Sequence, residues 1–232
     1  KIILIKKFIT KKLKLKKKFD LIFSIGLYEH AYSIDDLTKF SIEHLSTTGK
    51  ILVIVPNFLS SLKMGNPDLF AHEHISYFTL KTITNHFKKY NLRIIKNFSD
   101  IHSIALLLEK NKELAKKTNF RYKSINYNYN NKLKKNFYKI KNVLSKKSFI
   151  IHGACNSLNN ITSWINIKKN YILTDNDEKK IGKIYFNNKV KDIKKIILKN
   201  FDIIIIIPTY FASTIKTNFI KNGYKGNFFL LK

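Results

Sequence analysis

Apolar and polar positions alternate along the chain in short blocks that read as strands and helices in turn. The run FDLIFSIG (19–26) is a short apolar block ending at Gly26, the pattern of a buried strand. SIDDLTKFSIEHLSTTG (33–49) has helical spacing, with Ser33 as N-cap, Asp35 and Asp36 at the positive helix end and Gly49 as the expected stop. KILVIVPN (50–57) predicts the next strand, closed by Pro56. TLKTITNHFKKYN (79–91) predicts a helix capped by Thr79, and LRIIKNFSD (92–100) and HSIALLLEK (102–110) predict an antiparallel pair.

The pattern changes twice after that. From 111 to 147 the chain is polar and basic with irregularly spaced aromatics, which predicts a partly helical linker. A second alternating region starts near Ser148. SFIIHGACNSLNNITSWI predicts strand, turn at Gly153 and helix; NYILTDNDEKKIGK a strand ending at Asp175; FDIIIIIPTYFASTIKTNFIKNG a buried strand and helix; KGNFFLL a last strand. The order β-α-β-(α)-β-α-β is that of a small parallel, Rossmann-like sheet. The expected architecture is therefore α/β, with domains at 1–110 and 148–232 joined by the linker 111–147.

Composition narrows the class. With 44% hydrophobic and 13% aromatic residues in 232, the chain can bury a real core, which excludes a largely disordered protein. The single cysteine excludes a disulfide framework and suits a reducing, cytoplasmic setting. No apolar run reaches the roughly 18–20 residues of a membrane span. The net charge of +29 raises nucleic-acid binding as a function. The lysines are scattered over every segment and arginine is scarce, so the charge reads as compositional and a nucleic-acid partner is not expected. The chain begins at Lys1 and its only methionine is Met64, so the sequence reads as the later part of a longer protein.

Candidate chemistry concentrates in DLFAHEHISYFTLKT (68–82). His72 and His74 are two apart, so on an extended segment they point the same way and Glu73 points away. A zinc site needs three or four converging ligands, the H-E-x-x-H spacing is absent, and no metal is expected. An acid–base role fits better, because imidazole titrates near neutrality and a nearby carboxylate can orient it. His30, in LYEH after the first strand, is a second candidate. Ligands of open α/β sheets gather beyond the carboxyl ends of strands, so the two histidine groups can share one cleft. The seven glycines form neither G-x-G-x-x-G nor a P-loop. HGACNS (152–157) offers one glycine, Gly153, at a helix start, where an anion can bind.

Taken together, FDLIFSIGLYEH, LTKFSIEHLSTTGKILVIVPN and AHEHISYFTLKTI resemble the second half of class I S-adenosylmethionine-dependent methyltransferases. The H-E-H-x-S-Y-F stretch is similar to sugar C-methyltransferases that act on nucleotide-linked keto-deoxysugars, and IIHGACNSLNN, TDNDEKKIGK and IIIIIPTYFASTI resemble the C-terminal Rossmann-like domain of that group. The resemblance implies S-adenosylmethionine as cofactor, a nucleotide-sugar substrate in polysaccharide biosynthesis, His74 as general base paired with Glu73, and His30 near the methyl end. It also implies that Ser24, Ile25, Gly26 and Leu27 border the cofactor; His72, Tyr77 and Gly153 are expected to face the substrate. Ala71 stands where the family often has a tyrosine, so Tyr77 or Tyr28 would have to substitute, and oxygen or nitrogen remain open as acceptor atoms. The family's glycine-rich cofactor loop and ribose-binding acid are not within these 232 residues, so the chain alone is expected to bind S-adenosylmethionine weakly. Its first strand is expected to have a bare edge. The alternatives are a non-catalytic remnant or partner subunit of a methyltransferase and, further off, a basic nucleic-acid-binding module.

Overall fold

The computed structural model describes residues 4–10, 13–66, 69–70, 73–111, 128–146, 148–165, 171–208 and 211–230. The chain divides into two compact units, 1–62 with 70–126 and 63–69 with 127–232. Both are α/β with parallel strand pairs, the arrangement of a Rossmann-like fold.

The first unit is a four-stranded sheet. Its strands are β1 (Phe19–Ile25), β2 (Leu45–Pro56), β3 (Leu92–Ser99) and β4 (Ser103–Lys110), in the order β1-β2-β4-β3. β1 runs parallel to β2, and β4 antiparallel to both β2 and β3. Strict alternation along β2 and β4 sends Ile51, Val53, Val55, Ile104, Leu106 and Leu108 to one face. There they pack with Leu37 of α1 (Ile34–His44) and with Ile83 and Phe87 of α3 (Leu80–Lys89). A short α2 (Phe58–Met64) follows β2. Both expected caps form: Ser33 Oγ accepts from Asp36 N at 3.1 Å, and Thr79 and Thr82 exchange bonds in a capping box. β1 lies at the sheet edge, and its alternate residues Leu21, Phe23 and Ile25 are exposed.

Gly49 is not the helix stop that the pattern predicts. α1 ends at His44 and the chain enters β2 at Leu45. Phe19 pairs with Leu45 but Leu21 pairs with Lys50, so the excess residues of β2 form a bulge. A glycine is needed there for space: a Cβ on Gly49 would lie 2.8 Å from Leu45 Cδ1 and 2.9 Å from Phe19 O.

The second unit is a six-stranded sheet in the order β10-β9-β5-β6-β8-β7. Its elements are α4 (Tyr129–Lys146), β5 (Phe149–His152), α5 (Asn156–Ile165), β6 (Ile172–Thr174), β7 (Ile184–Tyr185), β8 (Asn188–Lys191), β9 (Ile203–Ile206), α6 (Ala212–Lys221) and β10 (Asn227–Leu230). β9, β5, β6, β8 and β10 run parallel, and only β7 opposes its neighbour. The central strands are buried throughout, and they carry one apolar cluster on each face. Where a helix was expected between β6 and β9, the chain makes the β7–β8 hairpin and two 3-10 turns, 193–195 and 198–200. α4 falls within the predicted linker, of which 112–127 lie outside the described residues.

Gly49→Val forces the bulge apart. It should lower stability by about 1–3 kcal/mol, read as a reduced urea midpoint by far-UV circular dichroism.

Candidate functional site

The site begins where β1 leaves its sheet. Gly26 takes φ +60°, a conformation glycine adopts without strain, and its N–H donates to Ile54 O at 3.0 Å. A 3-10 turn over 28–30 then sends three neighbouring side chains to different places. Tyr28 enters the core, 1% exposed, with its hydroxyl 3.3 Å from Thr38 Oγ1 and its ring edge-on to Phe87. Burial pushes the Tyr28 phenol above its ordinary pKa. Glu29 is also buried, 3% exposed, and its Oε2 has no hydrogen-bond partner among the described residues. His30 is half-buried.

The segment 73–78 is tied onto this turn. Ile75 N and Ser76 N both donate to Glu29 O, at 2.8 and 3.1 Å. His30 Nδ1 donates to Glu73 O at 2.9 Å, which leaves the lone pair on Nε2. The His30 and His74 rings meet edge to face with centroids 4.8 Å apart. Tyr77 lies 5.9 Å from the His74 ring and packs with Phe58 and Phe70, forming an aromatic wall beside the histidines. One ligand atom each from Glu29, His30 and His74 fall within 4.8 Å of one another.

Of the residues singled out in the sequence, His30, Glu73, His74 and Tyr77 thus come together at the carboxyl end of β1. Glu73 is exposed and His74 half-buried. Ser24 is the penultimate residue of that strand, with its Oγ buried and without a partner among the described residues. Ile25, Gly26 and Leu27 follow it, exposed. His72 lies outside the described residues. Of the two tyrosines that could replace the one missing at Ala71, Tyr77 stands beside His74, while Tyr28 is held in the core by Thr38. Glu29 was missed: its adjacency to His30 in LYEH was the available signal, but its burial depends on the turn. A depression of about 940 Å³ between α3 and β3, lined by Thr84, Lys88, Leu92 and Arg93 among others, contains neither histidine.

In the second unit, Gly153 follows β5 with φ +117°, and a Cβ there would meet Pro208 Cδ at 2.5 Å. The next amide, Ala154 N, donates to Asp175 Oδ2 at 2.8 Å, and Lys180 Nζ donates to Asp175 Oδ2 at 3.1 Å and to Ala154 O at 3.0 Å. Burial opposes the charge on Asp175, but bonds from Asp177 N, Lys180 and Ala154 N outweigh it and lower the pKa. His152, the last residue of β5, is 2% exposed. Thr174 Oγ1 donates to Ile151 O and accepts from His152 Nδ1 at 2.9 Å. Burial lowers the His152 pKa to about 4, with Asp175 opposing and Lys180 adding to the shift.

Residues 4–97 match a family model described as a methyltransferase domain. The match takes in β1, β2 and every described residue of the histidine site. No curated protein matches the chain.

The His152 shift has a measurable consequence. The unfolded chain protonates this imidazole near pH 6.5, whereas the folded one resists until about 4. Stability is therefore full above pH 6.5 and falls by about 3 kcal/mol as the pH drops to 4. His152→Gln should flatten that slope in urea unfolding followed by the fluorescence of the single tryptophan, Trp164.

Proposed function

We propose that the chain serves methyl transfer from S-adenosylmethionine to a nucleotide-linked keto-sugar, at carbon, with His74 as general base. The observation that carries the reading is the meeting of His30 and His74 at the carboxyl end of a parallel strand, inside the segment that matches a methyltransferase domain. The strand end suits a cofactor's border: Ser24 Oγ is buried without a partner among the described residues, and Gly26 adds no side chain there. S-adenosylmethionine supplies an electrophilic methyl group when bound.

The chain's own residues do the remaining work. His74 takes the acidic proton from the carbon beside the keto group, leaving that carbon nucleophilic. The two residues after it, Ile75 and Ser76, are tied to Glu29 O, which holds its backbone beside the turn after β1. His30, held by Glu73 O, presents a fixed ring edge to His74. Tyr77, beside His74, is the hydroxyl placed to meet the developing enolate oxygen. Tyr28 is too deeply buried for that part. Phe58 and Phe70 pack against Tyr77 and give that side of the site an apolar wall.

One observation favours a second reading, a non-catalytic partner chain of a methyltransferase. Among the described residues β1 is an edge strand, with one side of its backbone left for another chain to pair. Titration calorimetry of this chain with S-adenosylmethionine should show no binding tighter than about 1 mM. In a form that carries a cofactor loop, His74→Ala should lower kcat about 10²- to 10⁴-fold, while Tyr28→Phe should leave it near the parent's. Undiminished turnover in His74→Ala overturns the base assignment. A loop-bearing form without turnover on keto-sugars supports the partner-chain reading.

A further inference from the structure

The Glu29 carboxylate is in an unusual position for a side chain of its kind. It is 3% exposed, and its Oε2 lacks a partner among the described residues. Burying an uncompensated carboxylate costs several kcal/mol, and a buried acid is ordinarily paired, protonated or bound to a metal. Among the described residues no Lys or Arg is paired with it, and the ligand groups gathered around it are two imidazoles, His30 and His74.

We propose that Glu29, His30 and His74 form a binding site for a divalent transition-metal cation of the zinc class. Three observations converge on it. One ligand atom from each residue already lies within 4.8 Å of the others, against about 3.4 Å across the edge of a tetrahedral zinc site. His30 donates its Nδ1–H to Glu73 O, the outer-sphere bond that metal-binding histidines make, and so turns its lone pair away from the backbone on Nε2. The remaining closure falls to His74, a half-buried residue outside any helix or strand. Two imidazoles and one carboxylate suit zinc, cobalt or nickel better than magnesium or calcium, which take oxygen ligands. Three protein ligands leave a coordination position open, as in a reactive site and unlike a closed structural one.

The site was not legible from spacing. His72 and His74 offered only two ligands on one segment, and the other ligands come from the turn after β1. The proposal rests on these three groups and stands apart from methyl transfer. A cation and a general base would use the same lone pair on His74, so an ion held there blocks proton abstraction by that residue.

Cobalt(II) is the probe, because ligation by protein gives visible d–d absorption. The chain should bind one equivalent of cobalt, which zinc displaces and a hundredfold excess of magnesium does not. Glu29→Gln and His74→Ala should each weaken binding about 100-fold, while His102→Ala and Cys155→Ser leave it unchanged. Far-UV circular dichroism checks the fold, and His74→Ala, on the half-exposed segment, keeps the readout if the buried Glu29 substitution unfolds the chain. Absence of stoichiometric cobalt binding in the parent overturns the site, as does binding that His74→Ala in a folded chain leaves intact.

Discussion

A single carbonyl, Glu29 O, organises the candidate site. By accepting from both Ile75 N and Ser76 N, it fixes the segment 73–78 against the turn that follows β1. The return bond, from His30 Nδ1 to Glu73 O, closes the connection from the other side. Elements far apart in sequence thereby present His30, His74 and Tyr77 to the same space. The turn can offer that carbonyl because Gly26 lets the chain leave β1 with a positive φ while its N–H still bonds Ile54. The site thus depends on the parallel pairing of β1 with β2.

The strands and caps were legible because they rest on local rules. Alternation along β2 and β4 follows from one buried face, and Ser33 and Thr79 cap helices by bonds three residues long. Gly49 was misread because a glycine after an apolar helix and a glycine in a bulge look alike until the partner strand is known. The β7–β8 hairpin was missed for a different reason. Its two-residue turn, Phe186 and Asn187, has positive φ at both positions, a geometry that usually carries Asn-Gly. Phe186 packs against the core of the second unit, and that burial offsets the strain.

The candidate site divides in the same way. Its histidines were visible as residue types placed after strands. Their contact, the burial of Glu29 and the separation of Tyr28 from Tyr77 were not, because each depends on which way a three-residue turn points its side chains. Among the described residues no helix is long and apolar enough to cross a membrane.

The turn after β5 carries its own anion. In dinucleotide-binding sheets the corresponding amides face a ligand's phosphates. Here Ala154 N faces Asp175, and Lys180 neutralises the pair. An arriving phosphate would have to displace a carboxylate that is already bonded on three sides. A phosphate binding at that turn would therefore compete with the unit's own Asp175, and its apparent affinity would be lower by the cost of displacing that carboxylate.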